Sequence, residues 1–230
     1  MSAVGDNIRK IREEIAEAAL KSGREPSAVR LMAVTKTVDD DRILEAIDAG
    51  VNIMGENYIQ EAKRKIETMH VDVKWHMIGH LQSNKAKYVV RLFDMVNSVD
   101  KMGLAAELDK RSAAAGRVTD ILVEVNVSGE ESKNGVRADE APALVREIAS
   151  LENLSVRGLM TMPPWFDDPE DARPYFVALR ELRDKIAAEE IRGVDMRELS
   201  MGMSGDYRVA VEEGATILRI GTAIFGARVY

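Results

Sequence analysis

The chain has 230 residues, 32 basic and 39 acidic, giving a formal charge of −7 with acidic side chains spread along the whole length; that distribution excludes the basic face or stripe of a nucleic-acid module. It contains no cysteine, so disulfides, thiolate metal ligands and a cysteine nucleophile are excluded. The longest stretch free of Asp, Glu, Lys and Arg covers only residues 75–84, far short of the roughly 20 apolar residues that span a bilayer, and residues 1–6 lead straight into a charged amphipathic pattern without a signal-peptide core, so a cytoplasmic protein that does not enter the membrane is expected.

Ile8, Ile11, Ile15 and Ala19 recur at helical spacing, and Gly23 followed by Pro26 supplies a stop, which predicts a helix over 6–22. Residues 31–35 form a short apolar run ending at Lys36. Asp39, Asp40 and Asp41 then place carboxylates on the opening turn of a helix that Gly50 closes. The alternation continues, with strands predicted at 52–56, 74–78, 95–99, 119–127, 156–160, 198–201 and 216–220. Helices are predicted between them over 57–68, 83–91, 101–115, 138–150, 170–191 and 204–213. Runs such as 121–127 are rich in β-branched residues and nearly continuously apolar, as parallel strands covered on both faces must be. Eight strands alternating with helices predict an α/β fold, a single (β/α)8 TIM-type barrel with an extra N-terminal helix. No Gly/Ser linker, composition shift or low-complexity segment offers a seam, so residues 1–230 are expected to form one domain.

In such a barrel the working face is the rim where strands end and loops begin. Lys36 lies there, either as an ordinary solvated lysine or as a Schiff-base nucleophile whose amine the apolar rim around Val34 would desolvate. After the seventh strand, Ser200-Met-Gly-Met-Ser-Gly-Asp206 brackets a predicted helix start at Ser204 with glycines. Free N–H groups and the Ser204 hydroxyl there make either an anion site or a simple N-cap. Gly221 and Thr222 follow the eighth strand, and loops seven and eight of such barrels commonly hold phosphate. Arg219 sits within the last strand on the face of Ile217 and Gly221, where a charge needs a partner: an ion pair with Glu56 or Glu124, or a ligand acceptor. His76 and His80 straddle a strand end instead of sharing a helix face, and no His-Glu-x-x-His spacing exists, so no metal site is expected. Asn57, Ser128 and Lys133 fall at strand ends or in loops and read first as turn caps or solvated charge, and Met160 and Met162 as packing residues.

Six segments carry a resemblance. Ala33-Val-Thr-Lys-Thr37, Gly55-Glu-Asn-Tyr-Ile-Gln-Glu61, Trp75-His-Met-Ile-Gly-His-Leu-Gln-Ser-Asn-Lys85, Gly158-Leu-Met-Thr-Met162, Ser200-Met-Gly-Met-Ser204 and Arg219-Ile-Gly-Thr-Ala-Ile-Phe-Gly226 together resemble the pyridoxal phosphate homeostasis protein family, over almost the whole chain. The resemblance implies a single (β/α)8 barrel similar to the N-terminal domain of alanine racemase, with pyridoxal 5′-phosphate (PLP) held as a Schiff base on Lys36. It further implies that Ser204 and the Gly221 and Thr222 backbone hold the phosphate, that Arg219 faces the pyridine nitrogen, and that Asn57 neighbours the ring; it assigns no role to His80 or Lys133. The implied function is vitamin B6 homeostasis, in which the cofactor is buffered, stored or delivered, with PLP-requiring apo-enzymes as candidate recipients. Ten residues follow the last predicted strand, so the domain that gives alanine racemase its catalytic tyrosine opposite the lysine is expected to be missing. With Lys36 the one evident base, and Arg219 disfavouring a protonated pyridine, no robust turnover is expected. The alternatives are a PLP-dependent racemase-like enzyme completed across a dimer and a class I aldolase-type barrel.

Overall fold

In the computed structural model, which describes residues 2–130 and 133–227, the apolar runs become strands β1 (Arg30–Val34), β2 (Ile53–Glu56), β3 (Lys74–Met77), β4 (Met95–Val99), β5 (Thr119–Asn126), β6 (Val136–Arg137), β7 (Leu154–Met160), β8 (Val194–Ser200) and β9 (Ile217–Ile220). Their order is β4-β3-β2-β1-β9-β8-β7-β5, and pairing of β4 with β5 closes the ring. This is the predicted closed barrel of eight parallel strands. Strand β6 lies outside it, paired with β5 at Val125 and Asn126; two residues carry no readable period, so the sequence did not announce it.

Outside the barrel lie α1 (Ala3–Lys21), α2 (Asp40–Asp48), α3 (Ile59–Met69), α4 (Ala86–Leu92), α5 (Met102–Ala114), α6 (Ala141–Ile148), α7 (Arg173–Ala187), α8 (Tyr207–Glu212) and α9 (Thr222–Phe225). Ser2 accepts the Gly5 N–H and so caps α1. The buried stripe of α1, Val4, Ile8, Ile11, Ile15, Ala18 and Ala19, packs against α8, α2 and α9. Because α9 is a single turn, the extra N-terminal helix fills the place in the outer ring that a full eighth helix would take. The main core lies between barrel and helices, while Met32, Ile53, Ile78 and Ile217 form one separate cluster and Met95, Leu122 and Met160 another, within the barrel. At the strands' N-terminal end Arg30 pairs with Glu198, and Arg157 with Asp120 at 2.9 Å and Asp195 at 3.4 Å. No helix among the described residues is long and apolar enough to cross a membrane.

Two boundaries differ from expectation for identifiable reasons. Strand β8 begins four residues before the predicted start, because Asp195 and Arg197 interrupt its apolar pattern with charges that are paired at the barrel's end. Helix α8 begins at Tyr207 and not at 204: Asp206 Oδ1 accepts the Met203 N–H at 2.6 Å and forms a turn ahead of the helix. Ser204 therefore lies outside the helix and is not its cap. Residues 222–225, expected as loop, make the one turn of α9.

Two titratable groups buried in the barrel respond to pH in opposite senses. Burial pulls His76 down to about 4, with the Asp94 carboxylate opposing, and its Nδ1 has no hydrogen-bond partner among the described residues. Burial, with Asp100 adding to it and Arg219 opposing, raises Glu124 to about 7. For His76 the stability present above the ordinary histidine value of 6.5 is lost as pH falls toward 4. For Glu124 the stability present below the ordinary value of 4.5 is lost as pH rises through 7. Each effect is worth about 3 kcal/mol over its window, so the two offset one another between 4.5 and 6.5. His76→Gln is expected to leave stability falling as pH rises over that interval, and Glu124→Gln to leave it rising. Urea denaturation across the range checks both signs, and profiles unchanged in both variants would contradict the assignment.

Candidate functional site

All eight barrel strands point their C-terminal ends to one rim, where a cavity of about 800 Å³ opens. That volume is typical of a small-molecule site. Lys36, Asn57, Ser204, Arg219, Gly221 and Thr222, the six residues singled out by sequence, all line it. Lys36 leaves β1 two residues beyond Val34, in a turn in which the Val38 N–H donates to the Thr35 carbonyl at 3.0 Å. Asn57 follows β2, and its backbone is approached so closely by the loop after β3 that a Cβ on Gly79 would come within 2.6 Å of the Asn57 carbonyl oxygen. Only glycine fits there.

Beside β1 in the ring, the loops after β8 and β9 form one wall. Gly202, at φ +90°, turns the chain out of β8, and a Cβ there would meet that of Ala210 at 2.6 Å. The Ser204 Oγ accepts the Ala223 N–H at 3.1 Å and so ties the two loops together. Accepting from Ala223 leaves the hydroxyl proton of Ser204 to donate, and Gly221 and Thr222 line the same wall at the opening of α9, where the first N–H groups have no partner within the helical turn. These are donors suited to an oxyanion.

Arg219 forms the floor. It is buried, and it does not make the ion pair offered as one alternative from sequence: its guanidinium donates to Ser200 Oγ at 2.9 Å and to the Thr161 carbonyl at 2.8 Å. Glu56 is instead engaged by Lys65 at 2.7 Å on the outer side of the barrel. Burial lowers Arg219 to about 10 while Glu124 and Asp206 pull it back up, so it remains a cation at neutral pH. Asn97 donates to Ser200 Oγ at 3.3 Å and Thr161 Oγ1 to the Val125 carbonyl at 2.8 Å, which holds both acceptors of Arg219 in place.

The histidines do not converge, since His76 is buried within the barrel and His80 stands at the cavity mouth. Ser128 closes a turn with Asn126 Oδ1, and Lys133 reaches the Met162 carbonyl at 3.5 Å and Glu130 at 3.8 Å. Met160 packs in the barrel as expected, but Met162 is exposed and lines the cavity, a correction that follows from its lying two residues past the end of β7. Glu124, Tyr58 and Trp165 also line it and were not singled out as site residues. Glu124 could have been found from its position near the end of β5, on the face of Leu122; Trp165 lies in a loop whose course only the fold decides. An amine, a wall of anion donors and a buried cation thus surround one space, an arrangement suited to a phosphorylated carbonyl compound with a further acceptor facing Arg219.

The sequence model of the alanine racemase N-terminal domain family matches residues 2–229. The pyridoxal phosphate homeostasis protein of Aquifex aeolicus is 43% identical over 226 residues, covering 98% of both chains. A crystal structure of an unknown protein from Bifidobacterium adolescentis superposes with a TM-score of 0.92 at 40% identity, covering 97% of this chain and 94% of that one. PipY of Synechococcus elongatus, solved with PLP bound, superposes with a TM-score of 0.81 at 35% identity, covering 94% of this chain and all of that one. Sequence likeness over the full length of both partners, on the same barrel, makes this chain a member of the pyridoxal phosphate homeostasis protein family, built on the alanine racemase N-terminal domain.

Proposed function

We propose that this chain binds PLP in the rim cavity and serves vitamin B6 homeostasis, holding the cofactor reversibly with Lys36 as the amine that carries it. The observation that carries this reading is the meeting of Lys36, the Ser204–Thr222 wall and Arg219 around one cavity. The residues fit the group chemically: an anion wall for the phosphate, a lysine for the carbonyl, and a cationic donor for the pyridine nitrogen. When bound, PLP supplies an aldehyde with which a neutral amine condenses, one water leaving. Because Arg219 stays charged, it would donate to a ring nitrogen held there without protonating it. That weakens the ring as an electron sink and favours carriage over turnover. The open mouth lets a competing amine reach the cofactor, so delivery to apo-enzymes, in the cytoplasm, is part of the same reading.

One observation favours a second reading. Glu124 lines the cavity and is raised to about 7 by burial, the property of an acid–base group at neutral pH. It supports a PLP-dependent racemase-like enzyme, and the two readings separate on turnover.

Borohydride reduction of the PLP-loaded protein is expected to fix the cofactor on Lys36, found by peptide mapping, and Lys36→Ala to abolish the visible absorption of the lysine adduct. Labelling of Lys133 or Lys85 in its place would sink the assignment. Ser204→Ala removes one hydrogen bond to a charged group, about 1.5–3 kcal/mol or one to two decades of PLP affinity, and pyridoxal without its phosphate should bind far more weakly in an equilibrium titration. The loaded protein should reactivate a PLP-requiring apo-enzyme while L-alanine shows negligible racemisation or solvent-deuterium exchange at Cα. Enzyme-like rates lost in Lys36→Ala and Glu124→Gln would promote the second reading.

A further inference from the structure

Thr37, the residue after Lys36, has φ +61°. For a β-branched residue the left-handed region is strained, and such a conformation persists only where its surroundings hold it. Here the holding contacts are visible. The Thr37 N–H donates to Glu61 Oε1 at 2.6 Å. Glu61 Oε1 in turn accepts from Lys65 Nζ at 2.7 Å. The same ammonium donates to the Thr35 carbonyl at 2.6 Å and to Glu56 Oε1 at 2.7 Å, and Glu56 Oε1 also accepts the Thr35 hydroxyl at 2.6 Å.

Lys65 is fully buried, and these three acceptors use all three donors of its ammonium. A buried ion cluster is a poor device for stability, since well-packed apolar side chains commonly do as well; fixing one particular arrangement is its best-attested use. What this cluster touches is specific: the residue before Lys36 and the residue after it, on either side of a turn whose tip lines the cavity.

We propose that Glu61 and Lys65, with Glu56 beneath them, are positioning residues for Lys36. They clamp both flanking peptides and keep the Lys36 side chain directed into the cavity at the cost of strain at Thr37. The inference rests on the reading that Lys36 is the amine that carries PLP. It predicts that loosening the clamp weakens attachment of the aldehyde and leaves the rest of the cavity unchanged, because Ser204 and Arg219 are held by Ala223, Ser200 and Thr161, none of which the clamp touches.

Two ligands separate these effects. PLP titrates the amine and the anion wall together, whereas pyridoxine 5′-phosphate, with an alcohol in place of the aldehyde, titrates the wall alone. Glu61→Ala removes the acceptor of the Thr37 N–H, and because Glu61 is partly exposed its loss is compatible with folding, which unchanged pyridoxine phosphate binding verifies. PLP should then bind about ten-fold more weakly, as the turn populates conformers with Lys36 misplaced. Glu61→Gln retains an acceptor oxygen and should recover most of the loss. Thr37→Gly, which adopts positive φ without strain, should restore PLP affinity in the Glu61→Ala background. Wild-type PLP affinity in Glu61→Ala, an equal loss for both ligands, or failure of Thr37→Gly to rescue would each overturn the clamp. If instead the wild-type protein forms no borohydride-fixed adduct at Lys36, the underlying reading of the site falls, whatever the Glu61 variants do.

Discussion

Closure of the parallel sheet by the pairing of β4 with β5 is the constraint on which the rest depends. A parallel strand can follow another only through a crossover, so every connection at one rim leads out of a strand and every connection at the other leads back in. Residues far apart in the chain are brought to the same rim for that reason alone. Lys36, Asn57, Ser204 and Gly221 meet because each lies just past the end of a strand, not because the chain has any local reason to gather them. Closure also removes the sheet's edges, which leaves the cavity mouth as the face where loop chemistry can vary without exposing unpaired strand backbone.

Within that frame the barrel interior divides by chemistry along its axis. Ion pairs of Arg30 with Glu198 and of Arg157 with Asp120 close the end where strands begin, and apolar clusters around Met32 and Leu122 fill the middle. Polar groups are admitted near the rim, where Arg219, Ser200, Asn97 and Thr161 form a connected hydrogen-bonded set. A buried guanidinium is tolerable there because neutral oxygens satisfy it while Glu124 and Asp206 compensate its charge from a distance. Burial and the Asp100 carboxylate raise Glu124, which lines the same cavity, while Arg219 opposes that rise. Arg219 and Glu124 thus each act on the other's ionisation beside the space a ligand would enter.

A second polar cluster lies on the outside of the barrel, between β2 and α3, and answers a different need. Glu56 and Lys65 are wholly buried there. Parallel strands covered by helices offer no water for charges on that face, so these two ions must satisfy one another and the backbone of the neighbouring turn. That requirement links α3 to the residues on both sides of Lys36, and it couples the outer layer of the fold to the chemistry at its rim.

The alternation of strands and helices, the period of α1, the acidic opening of α2, the rim positions of Lys36, Asn57, Ser204, Gly221 and Thr222, and the place of Arg219 within the last strand were legible in the sequence. They depend on neighbours within a few positions, or on the rule that a barrel works at its strand ends. Charges hid the start of β8, and two residues were too few to reveal β6. The partners of Arg219 were not legible at all: Ser200 and Thr161 stand 19 and 58 positions away, and Asn97 reaches Ser200 across 103. Nor was the clamp on Lys36, whose members are 21 to 30 positions apart where they touch Thr35. Sequence by itself determined which segments become the eight barrel strands and which residues stand at their C-terminal ends, because backbone propensity and side-chain period are local. Which charges are buried, what they bond to and how the turn at Lys36 is held were decided only by the tertiary structure, because burial and hydrogen-bond partnership exist only once the ring has closed and brought distant segments into contact.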